Sequence, residues 1–430
     1  MKKTIGVIGL WHLGCVLCAA WYRLGNKVIG FDYDKERVDR LNNGEPPLFE
    51  PNLSETLSRG LLEKSVRFST DLRQLAECDC IFLSYDTPVS EDDSSDTSIL
   101  TKSVSDVSSV MKNDSVLIVS SQSPAGFCRQ LRDHLKNANT SLELACSPEN
   151  LRLGEAIDCY LNPGRIILGT AAPEAEKKCR ALFSCIQAEI VSMNLESAEM
   201  VKHGINSFLS SSIVFANQLA DLCEMTGARI ADVIRGMKTD PRIGSKAYLS
   251  PGIGFSGGTL GRDLKVLDRI NEENCGDAKL FGMVHRMNGE RKHSIVRRIR
   301  NILGGVKAKK ICFLGITYKP GTSTLRRSLP LEIVRLLLKD GAVVSVFDPK
   351  ADYSELTARD PFLIAGNIPE AADAADMLVL ATEWSEFKRF DWAPVAKTMR
   401  RPVFFDTRNF LDKKTLSACG FQYFSIGESG

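Results

Sequence analysis

A glycine-punctuated turn near the start of the chain constrains the fold more than any other feature of the sequence. The apolar run TIGVIG (4–9) predicts a buried strand, and a helical stretch (14–25) follows it after the turn GLWHLG. The next apolar run, KVIGFD (27–32), ends in a carboxylate. A strand, a glycine turn, a helix and a second strand form one β–α–β unit, which implies a parallel sheet with a right-handed crossover.

The same alternation continues along the chain and then returns after a helical interruption. Further strands are predicted at 80–85, 115–121, 142–147 and 164–169, helices over about 196–235 and 277–303, and then strands at 309–316, 342–349, 375–382 and 402–409, with a helix near 328–339. The predicted fold class is α/β, with two Rossmann-like parallel-sheet domains joined by a helical central domain. The predicted boundaries are 1–195, 196–304 and 305–430. Long helices in such a place often form a subunit interface, so we expect a homodimer or a higher homo-oligomer.

Composition excludes several other classes of protein. Lys+Arg 55 against Asp+Glu 53 gives no reason to expect nucleic acid or an anionic membrane as partner. No apolar run reaches the roughly 20 residues that cross a bilayer. The 13 cysteines are odd in number and scattered, which favours free thiols in the cytoplasm. Cys15 and Cys18 form a C-x-x-C inside a predicted helix, where packing is favoured over redox or metal chemistry, and no metal site is expected.

The first turn has the context of a dinucleotide site. Backbone N–H groups at the start of a helix hold a pyrophosphate, and a carboxylate at the end of the next strand binds a ribose. The cofactor-binding residues predicted here are Gly9, Trp11, His12, Leu13, Gly14 and Asp32. Trp11 stands where the fingerprint has its middle glycine, so a domain that has lost its nucleotide is the alternative. Retained binding is favoured, and Asp32 would repel a 2′-phosphate, which favours NAD over NADP.

Three further groups of polar residues could carry chemistry. Lys202 and Asn206 share one helix face, where they could hold an alcohol oxygen and orient a water, although a solvated face is the common reading of such a pair. Glu149 lies just past a strand end, where α/β sites gather. Basic residues at the matching edge of the second α/β segment suit a phosphorylated ligand: Lys319, Arg326 and Arg408.

Together these residues resemble the UDP-glucose/GDP-mannose dehydrogenase family over nearly the whole chain. The matching segments include SPENLRLGEAID, TDPRIG (239–244), GIGFSGGTLGRD (252–263), TYKPGTSTLRRS (317–328), ATEWSEF (381–387) and DTRN (406–409). The resemblance implies an N-terminal NAD domain, a dimer-forming helical middle and a C-terminal domain for a sugar nucleotide. Members oxidise a sugar CH2OH to a carboxylate with two NAD+, in polysaccharide biosynthesis. Three motifs, GIGFSGG, RIG and ATEWSEF, resemble the UDP-glucose branch of the family more than the GDP-mannose branch, which favours a UDP-sugar over a GDP-sugar.

The resemblance also implies roles for individual residues. Lys202 and Asn206 look like the pair that stabilises the oxyanion and positions water, Asp263 like the acid that orients them, and Glu149 like the carboxylate beside the sugar. Arg242 resembles an arginine that a neighbouring subunit supplies. The remaining candidates are Thr87, Gln122 and Arg326 for the cofactor, and Leu151, Arg152, Leu153, Tyr248, Gly254, Phe255, Gly257, Lys319 and Arg408 for the substrate.

Five positions depart from the family pattern. Thr259 stands where the family has its cysteine nucleophile, and Leu153 stands where many members have a second glutamate. Gln122 replaces a threonine that helps to hold the catalytic water. Thr324 replaces an acidic residue, and Trp11 replaces a glycine. A threonine hydroxyl is far less acidic than a thiol, whose pKa is about 8.5.

The first oxidation needs no thiol, so we expect an NAD-dependent oxidoreductase that acts on a nucleotide sugar with its second oxidation altered or lost. It would stop at an aldehyde or ketone, or reach the acid through an aldehyde hydrate. The alternatives are an inactive sugar-nucleotide-binding homologue and a β-hydroxyacid-type dehydrogenase, for which the C-terminal motifs would have no role.

Overall fold

The computed structural model describes residues 2–85, 96–112, 114–137, 142–149, 151–256, 258–356 and 360–429. The chain divides into two compact units, Met1–Ile205 and Asn206–Gly430. Each unit contains one open α/β sheet with its own hydrophobic core. The predicted fold class, with two α/β sheet domains, is therefore confirmed.

The first unit is built on an eight-stranded sheet in the order β3-β2-β1-β4-β5-β6-β7-β8. Its strands are β1 (Thr4–Ile8), β2 (Lys27–Phe31), β3 (Val66–Ser69), β4 (Cys80–Leu83), β5 (Val116–Val119), β6 (Glu143–Cys146), β7 (Ile166–Thr170) and β8 (Ile190–Met193). The alternation of strands and helices predicts parallel pairing throughout, and this was wrong at one place, because β6 and β7 pair antiparallel. The short strands β3 and β8 were not predicted.

Helices cover this sheet and bury apolar strands such as VLIV of β5. They are α1 (His12–Arg23), α2 (Lys35–Asn42), α3 (Leu53–Leu62), α4 (Ser98–Ser108), α5 (Phe127–Asn137), α6 (Ala156–Leu161) and α7 (Pro173–Phe183). Cys15 and Cys18 lie fully buried in α1, as packing residues. The packing role predicted for this cysteine pair is confirmed.

The second unit has a six-stranded parallel sheet in the order β11-β10-β9-β12-β13-β14. Its strands are β9 (Lys310–Leu314), β10 (Val343–Phe347), β11 (Leu363–Ile364), β12 (Met377–Leu380), β13 (Val403–Asp406) and β14 (Gln422–Ser425). The main covering helix, α12 (Leu329–Lys339), begins where the Ser328 side chain accepts a hydrogen bond from the backbone N–H of Leu331. The smaller helices of this sheet are α13 (Ile368–Ala372), α14 (Ala393–Thr398) and α15 (Lys413–Ala418).

Long helices occupy the middle of the chain. They are α8 (Leu195–Thr226), α9 (Ile230–Met237), α10 (Thr259–Glu273) and α11 (Leu280–Leu303). The glycine-rich segment that starts at residue 252 leads into α10, which begins at Thr259. Apolar side chains of α8, α10 and α11 pack around Phe255, so the preceding glycine segment rests on a helical core.

Candidate functional site

The first turn is built around two glycines that no other residue could replace without movement. Gly9 has a φ of +93°, and a Cβ on Gly14 would lie 1.8 Å from the carbonyl oxygen of Gly9. This close approach lets α1 begin directly behind β1, with its first backbone N–H groups at the carboxyl edge of the sheet. The turn therefore fits a pyrophosphate in the manner of dinucleotide-binding folds.

Asp32 is buried at the same edge and keeps the turn in place. Its Oδ2 accepts hydrogen bonds from the backbone N–H of Leu10 (2.7 Å) and from the Arg37 guanidinium (2.9 Å), and its Oδ1 accepts one from the N–H of Asp34. A carboxylate offers about four lone-pair sites, and the hydrogen bonds from described residues fill three of them, so Oδ1 could accept one more hydrogen bond, such as one from a ribose hydroxyl. Arg37 was not predicted from the sequence, although a basic residue soon after the strand-end carboxylate was the available signal.

Trp11 does not strain the turn. Its φ is −84°, which any residue adopts, and the Arg37 guanidinium lies 5.4 Å from the centroid of its ring. The side chain is 36% exposed, so the indole packs on a neighbouring cation at the protein surface. The departure from glycine at this position is thus compatible with the backbone that a dinucleotide needs.

Glu50 links the cofactor turn to the segment that carries the predicted sugar contacts. Its buried carboxylate is 2.9 Å from Nε2 of His12 and accepts hydrogen bonds from the backbone N–H groups of Gly154 and Ala156. Sequence reasoning missed Glu50, since nothing local marks a glutamate 38 residues from its partner. Glu149, Leu151 and Leu153 precede these N–H groups in the chain and are half-buried, whereas Arg152 is exposed.

Two residues of α8 hold the turn that carries Gln122. Glu199 accepts hydrogen bonds from the backbone N–H groups of Gly126 (2.6 Å) and Cys128 (2.8 Å), and Nε2 of His203 lies 3.0 Å from the carbonyl oxygen of Ser123. Burial raises the pKa of the Glu199 carboxyl above its usual value, and the backbone donors oppose that shift. Gln122, half-buried, is thus fixed after β5, whereas Thr87 lies outside the described residues.

Asn206 and Asp263 form the most buried polar pair among the predicted catalytic residues. The Asn206 amide donates a hydrogen bond to the Asp263 carboxylate, and both side chains are buried. Lys202 is half-buried one turn earlier on α8. Thr259 is exposed at the first residue of α10, and Asp263 lies one turn further along that helix. The pair therefore joins the helix of Lys202 to the helix that begins at Thr259.

The glycine segment before α10 is held by asparagines that sequence reasoning missed. The Asn288 side chain makes two hydrogen bonds with the backbone of Phe255. Its Oδ1 accepts one from the N–H and its Nδ2 donates one to the carbonyl oxygen, both at 2.9 Å. Gly254 has a φ of +103°, and a Cβ there would lie 2.5 Å from Asn288 Oδ1. Asn217 accepts a hydrogen bond from the N–H of Gly252. These side chains come from distant helices, so no local pattern marks them.

The same segment meets basic residues of the second sheet. A Cβ on Gly252 would lie 3.2 Å from the carbonyl oxygen of Thr407 and 3.6 Å from Nη1 of Arg408. Arg408 is mostly buried, donates to the carbonyl of Ala381 and pairs with Glu383 at 3.1 Å. The second unit therefore brings the glycine segment and Arg408 together.

The other predicted substrate residues are placed less tightly. Tyr248 and Arg242 are exposed, and Arg242 bonds Asp240. Lys319 is half-buried beside the Tyr318 ring, and Arg326 is exposed in the same segment. Gly257 lies outside the described residues.

Three further observations concern metals, membranes and thiols. The described residues contain no group of three or more His, Cys, Asp or Glu side chains that could hold a metal ion. Within the same ranges, no helix has the length and apolar character needed to cross a membrane. All 13 cysteines lie in the described ranges, and all are free thiols.

Comparison with known proteins identifies the family. The chain matches the UDP-glucose/GDP-mannose dehydrogenase family in three parts: its NAD binding domain at residues 3–187, its central domain at 196–290 and its UDP binding domain at 312–413. UDP-glucose 6-dehydrogenase from Rickettsia bellii is 32% identical over 431 residues, with 99% of each chain covered. TuaD, a UDP-glucose 6-dehydrogenase from Bacillus subtilis, is 29% identical, with 99% of this chain and 93% of that protein covered.

A solved structure agrees with this result. The structure of a UDP-glucose dehydrogenase from Pyrobaculum islandicum matches with a TM-score of 0.89 at 26% identity, over 100% of this chain and 98% of that one. The chain therefore belongs to the UDP-glucose/GDP-mannose dehydrogenase family. Membership confirms NAD as the cofactor, a nucleotide sugar as the substrate class, and an NAD-dependent dehydrogenase of CH–OH donors as the class of enzyme.

Proposed function

We propose that this enzyme oxidises the primary alcohol of a UDP-sugar, with UDP-glucose as the first substrate to test. The observation that carries this proposal is the buried bond between Asn206 and Asp263, one helical turn from Thr259 and one turn from Lys202. The relatives named UDP-glucose 6-dehydrogenase, which match this chain over nearly its whole length, support the choice of sugar nucleotide. We keep the three-part division at 195 and 304 as the functional one.

The side chains have distinct tasks in the first oxidation. The Lys202 ammonium and the Asn206 amide hold the alcohol oxygen and stabilise the negative charge that develops on it. Asp263 accepts a hydrogen bond from that amide and so fixes which way the amide points. Glu149 lies at the carboxyl edge of the first sheet to contact the sugar. Bound NAD+, held by the turn at Gly9 and by Asp32, supplies the hydride acceptor.

The nucleotide half of the substrate would bind in the second unit. Phe255 and its neighbouring glycines offer backbone groups at close range, and Arg408 offers a guanidinium for ribose or phosphate. Lys319 adds a second cation from the segment after β9. Leu151 to Leu153 and Tyr248 would complete the sugar contacts, and Gln122 and Arg326 would complete those to the cofactor.

The assembly proposed for the enzyme is a homodimer. Phe208, Phe215 and Leu222 repeat every seven residues on α8 and are 67%, 51% and 56% exposed, which leaves an apolar stripe on one helix face. We assign this stripe to contact with a second copy of the chain, which could then receive the exposed Arg242. Phe215→Asp should give monomers in sedimentation analysis, and a monomeric wild type at micromolar concentration would refute the dimer. We place the enzyme in the cytoplasm, in keeping with its free thiols.

The substrate experiment counts NADH against product. Purified enzyme is mixed with NAD+ and a panel of UDP- and GDP-sugars, and each product is identified by mass. We expect turnover with a UDP-hexose and a fall in kcat of roughly a thousandfold or more in Lys202→Met. Lys177→Met, which removes an exposed lysine from α7, is the matched control. Absence of NADH with every sugar nucleotide would refute the proposed function.

A further inference from the structure

One arginine that the family resemblance did not single out lies beside the residue that replaces the nucleophile. Nη1 of Arg327 is 3.8 Å, and its Cδ 4.0 Å, from the place where a Cβ on Gly258 would be. Gly258 directly precedes Thr259 at the start of α10. The guanidinium of Arg327 therefore reaches the backbone next to position 259.

The backbone at Arg327 is held in an unfavourable conformation. Its φ is +54°, in the left-handed region, which costs a non-glycine residue on the order of 1 kcal/mol. Hydrogen bonds on the C-terminal side of Arg327 hold this conformation. The Ser328 hydroxyl donates to the carbonyl of Ile316 at 2.6 Å, and the N–H of Leu329 donates to the Ser256 hydroxyl at 3.1 Å. The segment that carries Arg327 is thus fastened to the segment that leads into Thr259.

Chemistry limits what such an arginine can do. A guanidinium stays protonated in proteins, so it serves neither as base nor as nucleophile. It binds a carboxylate through two parallel N–H···O bonds and stabilises an oxyanion strongly in a site with little water. Asp263, one turn along α10, already fixes the Asn206 amide. Position 259 therefore has a cation and an oriented amide near it, together with a hydroxyl that ionises poorly.

We propose that Arg327 is a catalytic residue of the second oxidation, where it binds the oxyanion of the hydrated aldehyde and then the carboxylate product. The inference rests on the proposed function. Water adds to the aldehyde to give a gem-diol, and the C–H bond of the gem-diol breaks as its hydride leaves. The balance is R–CHO + H2O + NAD+ → R–COO⁻ + NADH + 2 H⁺. No covalent bond to Thr259 forms, so the route needs no thiol.

A binding experiment tests the arginine without any cofactor. The affinities of UDP, UDP-glucose and UDP-glucuronate are measured by calorimetry for wild type, Arg327→Gln and Arg327→Lys. We expect Arg327→Gln to weaken the binding of UDP-glucuronate by roughly tenfold to a hundredfold relative to that of UDP-glucose, whereas the affinity for UDP stays unchanged. The affinity of Arg327→Lys for UDP-glucuronate should be intermediate. Arg297→Gln removes an exposed charge from α11 and is the matched control. Equal weakening of both sugar nucleotides would overturn the proposal.

A glycine variant tests whether a loss of affinity could result from misfolding. Because φ at this position is positive, Arg327→Gly relieves strain and should fold at least as well as wild type. It should show the same selective loss of UDP-glucuronate affinity as Arg327→Gln. Retention of that affinity in a folded glycine variant would contradict a contact with the carboxylate.

A turnover experiment separates the two oxidations. Wild type should form two NADH per UDP-sugar, whereas Arg327→Gln should form the first and accumulate an aldehyde that hydroxylamine traps. A wild type that releases only aldehyde would overturn the role of Arg327 and leave the proposed function intact. If no sugar nucleotide gives NADH, the proposed function fails, and the calorimetric ratio still decides whether Arg327 binds a carboxylate.

Discussion

The two α/β sheets of this enzyme begin in the same way and diverge after their first turn. Gly9 and Gly315 both follow a first strand with positive φ, and each donates its N–H to the last residue of the second strand, at 2.9 and 2.8 Å. A carboxylate follows that strand in each case, Asp32 or Asp348, and accepts the N–H of the residue after the glycine at 2.7 or 2.8 Å.

The two carboxylates differ in how many donors they already satisfy. Asp348 accepts hydrogen bonds from the N–H groups of Ile316, Thr317, Lys350 and Ala351, from the Thr317 hydroxyl and from the Trp384 indole. Its roughly four lone-pair sites are filled, whereas Asp32 accepts three hydrogen bonds from the part of the chain that the structure describes. In addition, α1 begins at His12, directly after its turn, but α12 begins only at Leu329. The same architecture thus gives a carboxylate with fewer hydrogen-bond donors in one sheet and a structural anchor with six donors in the other.

The largest effect is expected at the turn of the first sheet. Gly14→Ala places a methyl group against the carbonyl oxygen of Gly9, which should cost about 3 kcal/mol or more of unfolding free energy and abolish NAD+ binding. Denaturant unfolding and calorimetry measure the two effects. Gly164→Ala, where a Cβ meets nothing within 4 Å, is the control. Normal NAD+ affinity in Gly14→Ala would show that the turn does not hold the cofactor.

Asp348→Asn should act on stability alone. The amide replaces an acceptor with a donor among six filled hydrogen bonds, so we expect a loss of roughly 2–3 kcal/mol of unfolding free energy. The NAD+ dissociation constant should stay within twofold of wild type. A selective loss of NAD+ affinity here would break the contrast between the two sheets.

Asp32→Asn should act mainly on the cofactor. Loss of the charged acceptor should raise the NAD+ dissociation constant by about tenfold, which corresponds to about 1.4 kcal/mol. Titration of NAD+ by tryptophan fluorescence or calorimetry measures it. The contrast with Asp348→Asn would be lost if both variants bound NAD+ equally well.

Trp11→Ala should give the smallest change. The ring contacts the Arg37 guanidinium at a partly exposed site, and such contacts contribute about 0.5–1 kcal/mol. The NAD+ dissociation constant should therefore rise by roughly twofold to fivefold, measured beside Arg23→Ala as a surface control. An increase in NAD+ affinity would instead show that the indole obstructs the cofactor.

The sequence predicted elements well where their signal is local. The strand, glycine turn and helix at 4–25 were found because glycine spacing and apolar periodicity act within a few residues. The strands β3, β8, β11 and β14 were missed, because they lie at the edges of the two sheets and have exposed or half-buried positions in place of the fully buried apolar run of the equally short β4 and β5. The antiparallel β6–β7 pair was missed because strand direction depends on the path of the connection, which composition does not encode.

The same distinction between local and long-range signals applies to the residues of the candidate site. Gly9, Gly14 and Asp32 were predicted from their mutual spacing, which is a local property. Glu50 and the asparagines that hold the glycine segment were missed, because each acts on a residue brought near only by folding. Glu50, for example, reaches N–H groups 104 and 106 positions away. Arg37 was missed although it lies only five residues from Asp32.

The amino-acid sequence alone indicated two β–α–β folds and a turn of the dinucleotide-binding kind, because residue type and short-range spacing decide backbone conformation. Only the tertiary structure decided that the described residues donate six hydrogen bonds to the Asp348 carboxylate but three to that of Asp32, and that Arg327 lies beside Gly258. Those facts depend on which distant segments share hydrogen bonds, and long-range hydrogen bonding is settled when the whole chain packs.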